Sequence, residues 1–408
     1  MLDWLRPRRT AARVTLASSS KARKARSKAT SSSGSEGSFM VVGLALSMPS
    51  IGAIVARAFQ GRLSQAICRP FKEASMRTKI LTPAALALAV SLSCAAPYAH
   101  AQAAKASAPA APSSASSSVQ PRPVTGGIYR FKLGAVWVTA LSDGTLPLPA
   151  GQLLHGIDKT ALTQALSAAD RGDPLETSIN AFLIELEGRR ILVDTGAGAL
   201  FGPAGGRLLD RLAAVGVRPD QIDDILITHI HTDHSGGLAR DGRAIFPNAT
   251  VHAGRSDGDL FLDRTITVAD VPARHYDEAA AMLGPYRRAG RLDLFSGEKT
   301  FAPGLVARPT PGHTPGHMAY ELTSQGQTLV FIGDMIHAGP VQFARPEVTI
   351  TYDVDQAAAR DQRQAQLARY AAQGVLIAGP HLEFPGVGRL RVEGRGYHYY
   401  PVAFTDRD

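Results

Sequence analysis

The segment ILITHIHTDHSGG, residues 225–237, runs from a short apolar stretch into four potential metal ligands within six positions. The four ligands are His229, His231, Asp233 and His234. Successive side chains of a strand point to opposite sides, so a cluster this dense at the end of a strand can supply two adjacent metal ions. Imidazole and carboxylate groups suit zinc, manganese or iron, and Gly236 and Gly237 then allow a sharp turn of the backbone. The segment predicts a strand that ends in a metal site.

Three later segments share one design, in which an apolar stretch ends in a glycine or proline turn that presents a ligand. The three ligands are His313 after residues 306–308, Asp334 after residues 329–332, and His381 after residues 375–378. We expect two donor sets, namely His229, His231 and His313 for one metal ion, and Asp233, His234 and His381 for the other. Asp334 would bridge the two ions, because a carboxylate can bind two cations at once and partly offset their mutual repulsion.

The HxHxDH loop, followed by later His, Asp and His residues, resembles the metallo-β-lactamase superfamily. This resemblance implies an α/β fold, the four-layer αββα sandwich, with the metals at one edge of the two sheets. It also implies that Asp194 is a buried carboxylate that braces the metal loop and is not a ligand. More specifically, residues 195–203, 341–343 and 381–388 resemble methyl parathion hydrolases and the lactonases related to them.

The substrate pocket departs from that closer resemblance. The resemblance implies aromatic side chains around the leaving group, yet Phe261 stands at the position of a tryptophan, and Leu200 precedes Phe201 where an aromatic pair is expected. We predict a pocket that is partly aliphatic. Its predicted members are Leu200, Phe201, Phe261, Met335, His337 and Leu382. His317 is predicted to be structural or to contact a ligand without binding metal, because seven ligands are already assigned.

Charge and cysteine are concentrated at the start of the chain. Of the 44 Lys and Arg residues, 15 precede Gln102, against three acidic residues, so positions 102–408 hold 29 basic and 32 acidic residues. Both cysteines, Cys68 and Cys94, also lie before Gln102. The remaining chain therefore has no thiol chemistry, and its acidic balance argues against a nucleic-acid partner.

The chain divides into four predicted parts. Residues 76–101 combine a charged start, an apolar run and an Ala-His-Ala cleavage site, which predicts a secretory signal peptide and a periplasmic or secreted protein. Residues 1–75 precede that signal, so we predict that the start codon is assigned too early or that these residues form a non-catalytic extension. The alternative is a membrane anchor at residues 39–56. Residues 102–127 are rich in Ala, Ser and Pro and predict a disordered linker, and residues 128–408 are the predicted catalytic domain.

The metal pair predicts a zinc-dependent hydrolase of esters, lactones or phosphotriesters, with two Zn²⁺ per chain. Zinc lowers the pKa of bound water from 15.7 to about 7, so a metal-bridging hydroxide would be the nucleophile. Asp334 holds both ions in this hypothesis, and Asp233 relays a proton to the leaving group. We expect a small-molecule substrate, no stable membrane insertion of the mature domain and, from the resemblance, a homodimer.

Several alternatives stay open. One is a quorum-quenching N-acyl homoserine lactonase, and another is a non-enzymatic binding module stabilised by metal. A β-lactamase is disfavoured because that group lacks a bridging carboxylate such as Asp334. A thioesterase of glyoxalase II type is disfavoured because only 27 residues follow His381, too few for a helical glutathione-binding domain.

Overall fold

The computed structural model describes residues 126–269 and 271–405. Our predictions for residues 1–75 and 76–101, and for nearly all of the 102–127 linker, lie outside the described residues. Among the described residues, no helix has both the length and the apolar composition needed to cross a bilayer.

The described residues form strands and helices in a mixed order. The strands are β1 (Ile128–Leu133), β2 (Val136–Leu148), β3 (Leu154–His155), β4 (Leu175–Leu186), β5 (Arg189–Val193), β6 (Asp224–Leu226), β7 (Ala239–Arg240), β8 (Arg243–Ala244), β9 (Thr250–Gly254), β10 (Leu292–Phe295), β11 (Lys299–Ala302), β12 (Leu305–Pro309), β13 (Met318–Ser324), β14 (Gln327–Phe331), β15 (Thr349–Ile350), β16 (Leu376–Ala378), β17 (Val387–Glu393) and β18 (Gly396–Pro401). The α-helices are α1 (Ala150–Leu153), α2 (Lys159–Ala168), α3 (Leu208–Ala214), α4 (Thr232–Ser235), α5 (Arg255–Asp257), α6 (Ala273–Arg288), α7 (Gly339–Gln342) and α8 (Gln356–Gln373).

Two seven-stranded sheets form the centre of the described residues. The first has the order β1-β2-β4-β5-β6-β9-β10, and the second has the order β11-β12-β13-β14-β16-β17-β18. Phe182 of the first sheet and Phe331 of the second lie in one buried apolar cluster, with ring centroids 5.3 Å apart. The two sheets therefore pack face to face.

Helices cover the outer face of each sheet. Leu212 of α3 and Leu283 of α6 are buried against the first sheet, and Leu367 and Tyr370 of α8 are buried against the second. Each outer layer buries one apolar side of its helices and leaves the polar side to solvent. This arrangement confirms the predicted four-layer αββα sandwich.

The sequence predicts a helix that runs from a cap near Asp355 to Gly374, and helix α8 shows how these local residues set its limits. The predicted cap, Asp355, accepts hydrogen bonds from the backbone N–H groups of Ala357 and Ala358, which have no partner within the helix. The helix ends at Gly374, whose φ of 62° is left-handed and favours glycine. The predicted limits, Asp355 and Gly374, are confirmed.

The sequence predicts strands at residues 136–141 and 225–228, and both have different lengths in the structure. The strand predicted at residues 136–141 continues to Leu148, through an irregularity between Ser142 and Gly144. The strand predicted to reach Thr228 leaves the sheet after Leu226. The reason is that the backbone N–H of Thr228 donates to the carboxylate of Asp194 instead of to a neighbouring strand.

Candidate metal centre

The structure brings all seven predicted ligands together at one edge of the sandwich. Each follows the carboxyl end of a strand, as the sequence pattern predicts: the first four come after β6, and the others come after β12, β14 and β16. Strands β14 and β16 are parallel neighbours, so Asp334 and His381 leave the second sheet at the same edge. The alignment of the strand ends therefore positions the cluster.

His229, His231 and His313 form the first group. Nδ1 of His231 lies 3.0 Å from Nε2 of His229 and 3.1 Å from Nε2 of His313. Burial, followed by the nearby imidazoles, lowers the pKa values of His229 and His231 well below the usual value. A neutral imidazole presents a lone pair, so the nitrogens of His229 and His231 are suited to bind a cation.

Asp233, His234 and His381 form the second group. Nε2 of His234 lies 3.7 Å from Oδ1 of Asp233, and Nε2 of His381 lies 3.4 Å from Oδ2 of the same carboxylate. The side chain of Asp233 is 14% exposed, whereas those of His234 and His381 are 0% and 4% exposed. Asp233 is therefore the member of this group that solvent or a substrate reaches.

The carboxylate of Asp334 lies between the two groups. Its Oδ1 is 3.1 Å from Nε2 of His234, and its Oδ2 is 3.3 Å from Nε2 of His313 and 3.2 Å from Nε2 of His381. Burial by itself would raise the pKa of Asp334, but the surrounding histidines, His234 foremost, hold it well below its usual value. This position suits a bridging carboxylate.

Four histidines of the cluster have their other ring nitrogen beside an oxygen atom. The Nδ1 atoms of His234, His313 and His381 lie 2.9 Å from Asp194, Asp353 and the carbonyl oxygen of Ser178, and that of His229 lies 3.2 Å from Thr228. Such partners fix the ring orientation and the tautomer of a metal-binding histidine. Oxygen atoms outside the donor cluster therefore hold its histidine rings in place.

Asp194 lies where the resemblance implies, beneath the metal loop. It is buried, and its φ of 60° is unusual for a residue with a side chain. Its Oδ1 accepts a hydrogen bond of 2.8 Å from the N–H of Thr228, and its Oδ2 lies 2.9 Å from His234. The carboxylate thus joins the end of β5 to the HxHxDH loop.

Two further residues join the metal-bearing loops to one another. The fully buried Asp257 accepts hydrogen bonds from the N–H groups of Ile230 and Gly316, and burial raises its pKa to about 6. His317 accepts a 3.0 Å hydrogen bond from the backbone N–H of Asp334 and lies 2.8 Å from the hydroxyl of Thr310. His317 therefore supports the backbone of Asp334, in line with the predicted structural role.

Sequence analysis did not identify Asp353 or Arg363. Oδ2 of Asp353 lies 3.4 Å from Arg363, which is 1% exposed and donates to the carbonyl oxygens of Met335 and Val348. The same carboxylate contacts His313, so the arginine stabilises the loop that carries these groups. No motif marks either residue, because each acts through a contact distant in sequence.

Unpartnered buried atoms provide a test of whether the cluster suits metal. Nε2 of His234 and Oδ1 of Asp334 are buried and face one another at 3.1 Å, and neither forms a hydrogen bond with any described residue. Leaving such groups unsatisfied costs about 1–3 kcal/mol each. A cation between them would satisfy both, and the donor set of imidazole and carboxylate is the one zinc takes in catalytic sites.

The predicted pocket residues divide between the site and the core. Phe261 lies beside the metal cluster, with its ring centroid 5.6 Å from that of His231, and Leu200 is exposed on a loop that contacts α4. Phe201 is buried on the same loop, in a cluster with Ile179 and Ala197.

Met335 and Leu382 do not form an open wall. They are only 4% and 3% exposed, and they pack in the apolar layer beneath α8. His337, in contrast, lies against Asp334.

Two side chains at the site were not identified from the sequence. The ring of His275 lies 5.6 Å from that of His231, and the ring of Tyr352 lies 6.2 Å from that of His337. Both follow segments without a ligand pattern, His275 on α6 and Tyr352 just beyond β15. Only the packing of α6 and of the β15 loop over the strand ends brings them to the cluster.

The metallo-beta-lactamase superfamily model matches residues 175–371. The crystal structure of the hydrolase AbOPH, of the beta lactamase superfamily, is 37% identical to this chain, with a TM-score of 0.65, over 69% of this chain and 99% of its own. The dizinc quorum-quenching lactonase AidC is 25% identical, with a TM-score of 0.64, over the same 69% and 99%.

A curated relative is similar over a little under half of the chain. The N-acyl homoserine lactonase AiiA of Bacillus thuringiensis subsp. kurstaki is 26% identical over 206 residues, which is 45% of this chain and 73% of that protein. Three findings indicate the same family. They are the αββα sandwich, the histidine and aspartate cluster at its edge, and the 37% identity to the hydrolase AbOPH over 99% of its chain. The chain belongs to the metallo-β-lactamase superfamily and is a hydrolase of that superfamily.

Proposed function

We propose that this protein is a dinuclear zinc hydrolase that acts on lactones and esters, with weaker activity on phosphotriesters. The observation that carries the proposal is the pair of donor groups on either side of Asp334. Within each group, the donor atoms all lie within 4.8 Å of one another. One group is His229, His231, His313 and Asp334, and the other is Asp233, His234 and His381. The likeness to the dizinc lactonase AidC supports the same assignment.

The roles of the chain's own groups follow from their exposure. Bound zinc would supply a Lewis acid and a water molecule of lowered pKa. The buried histidines hold their nitrogens in fixed directions, because the surrounding oxygen atoms orient their rings. Asp233 is the solvent-accessible carboxylate of the cluster, so we assign to its oxygens the transfer of a proton to the leaving group.

The polar rings beside the donor cluster suit a carbonyl substrate. Phe261 is 1% exposed, with its ring centroid 5.6 Å from that of His231 and 6.3 Å from that of Tyr276, so it supports the first group of donors from the core. The rings of His337 and Tyr352 have centroids 6.2 Å apart, and the ring of His337 stacks on that of His381. The polar ring atoms of a lactone or aryl ester would contact these groups.

An N-acyl homoserine lactone is a specific candidate within this class. AidC and AiiA are both lactonases in name, and the exposed Leu200 offers an apolar contact outside the metal cluster for an acyl chain. An N-acyl homoserine lactone is therefore one of the lactones to assay against methyl parathion. A homodimer and the absence of a nucleic-acid partner stay predictions.

We first expect metal and activity to be lost together when a donor is removed. His231→Ala and Asp334→Ala should reduce bound zinc from two ions per chain to one or none and lower kcat/KM by more than about a thousandfold, since an incomplete set cannot polarise the substrate and lower the pKa of water together. Metal analysis and ester turnover on the same preparation measure both. His155→Ala, an exposed histidine, is the matched control. Full activity with one ion per chain would contradict the dinuclear assignment.

The role of Asp233 predicts a change in the pH profile. General acid catalysis contributes about 10²–10⁴-fold, so Asp233→Asn should lower kcat by that factor for esters with poor leaving groups and by less for nitrophenyl esters. The comparison is made on variants with the same metal content as the wild-type protein. An unchanged rate and pH profile would show that Asp233 does not transfer the proton.

The substrate preference can be measured directly. Leu200 stands where the resemblance implies an aromatic side chain. Loss of one aromatic contact costs about 0.5–1.5 kcal/mol, close to a tenfold change in rate at most, so weak phosphotriesterase activity should remain. We expect kcat/KM for lactones or aryl esters to equal or exceed that for methyl parathion on one metal-replete preparation. A preference for the phosphotriester of about a hundredfold or more would refute the proposed pocket.

We also propose that the protein is periplasmic or secreted. The support is the composition of residues 76–101, with a charged start, an apolar run and a small-residue cleavage site. The mature protein should begin at Gln102 by N-terminal sequencing of a periplasmic or secreted fraction. A mature chain that still carries residues 1–75 would contradict this proposal.

A further inference from the structure

His337 points into the donor cluster although it lies outside the seven-ligand set. Its Nε2 is 3.0 Å from Oδ2 of Asp334, and the residue is 4% exposed. The backbone N–H groups of His337 and Ala338 both donate to Oε1 of Gln342, and Nε2 of Gln342 donates to the carbonyl oxygen of Val348. The backbone that carries the imidazole is thus held in one position.

The ring of His337 packs among the ligands and not among apolar groups. It stacks on the ring of His381, with centroids 5.2 Å apart and planes at 20°, and its centroid lies 4.9 Å from that of His313. Its buried Nδ1 makes no hydrogen bond to any described residue. A purely structural imidazole in such a place would normally have a partner for this nitrogen.

The spacing around His337 is that of a metal site. The donor atoms of Asp334, His337 and His381 all lie within 4.8 Å of one another. Oδ2 of Asp334 is 3.0 Å from Nε2 of His337 and 3.2 Å from Nε2 of His381. Donors at zinc–ligand distances of about 2.0–2.1 Å in a tetrahedron stand about 3.3 Å apart, which is close to both values.

We propose that His337 is an eighth donor, which gives the ion bound through His381 an alternative set of ligands formed by Asp334, His337 and His381. The proposal rests on the dinuclear function proposed above. The alternative set shares Asp334 and His381 with the seven-ligand arrangement and omits Asp233 and His234. Its occupation would leave the carboxylate of Asp233 free to carry a proton, which is the role assigned to that residue.

The experiment is proton NMR of the full chain loaded with Co²⁺, recorded in H₂O and in D₂O. A histidine bound to Co²⁺ shifts its remaining ring N–H far outside the usual range, and the signal disappears in D₂O. The seven-ligand set contains five histidines, so it predicts five such signals. The alternative set replaces His234 by His337, so a chain in which both sets are populated in slow exchange gives a sixth signal, that of His337. His337→Leu should remove one signal, whereas His155→Leu, at an exposed position, should remove none.

Release of Co²⁺ to a chelator gives a second measurement that does not depend on turnover. Loss of a residue that merely contacts a ligand costs about 10–100-fold in metal affinity, so loss of a donor in His337→Leu should speed release of the more weakly bound ion by about tenfold or more. His337→Gln keeps a side chain that can hydrogen-bond to Asp334 but offers no imidazole. Release from this variant should be as fast as from His337→Leu, and circular dichroism checks that both variants fold.

The outcomes separate this inference from the proposed function. Five shifted signals that are all retained in His337→Leu, or wild-type release in His337→Gln, would show that His337 only hydrogen-bonds to Asp334 and would overturn the inference. No shifted signals, or one ion per chain, would instead overturn the dinuclear assignment itself.

Discussion

The buried carboxylate of Asp334 is the contact on which the arrangement of the site depends. One of its oxygens faces His234, and the other faces His313 and His381, so loops from both sheets meet at a single group. A buried negative charge is costly unless cations or hydrogen-bond donors surround it. The ring of histidines, and the metal ions that we propose between them, provide that compensation.

Three other buried acids stabilise the loops around this centre. Asp194 joins the end of β5 to the HxHxDH loop, Asp257 joins that loop to the one that carries His313, and Asp353 joins His313 to Arg363. Each connects segments that are far apart in sequence, and each supplies acceptors to otherwise unpaired N–H groups. The metal loops can therefore be irregular in conformation and still be rigid, which a preorganised metal site requires.

The surroundings of the cluster combine a closed interior with one accessible side. Most of the histidines are buried, whereas Asp233 and His231 are partly exposed, and the rings of Phe261 and His275 each lie 5.6 Å from that of His231. A substrate would therefore meet Asp233 and His231 before it reaches the buried nitrogens. The fold positions the reactive centre through its strand ends, while the segments that follow β9 and β15 and the start of α6 form the walls around it.

The sequence by itself determined the donor cluster, because each of its residues follows an apolar strand in a glycine or proline turn and such patterns are local. The αββα layers, the limits of α8 and the proximity of the seven donors all agree with it. Only the tertiary structure decided which other groups meet the cluster. Asp257, His275, Tyr352, Asp353 and Arg363 have no local pattern, since their roles arise from contacts between distant segments. The same reason explains the different environments of Met335, Leu382 and His337. Met335 and Leu382 directly follow ligands in the sequence but pack in the core, whereas His337 turns toward the donors. Neighbouring positions on an irregular turn face in different directions, and the packing of α8 decides which of them is buried.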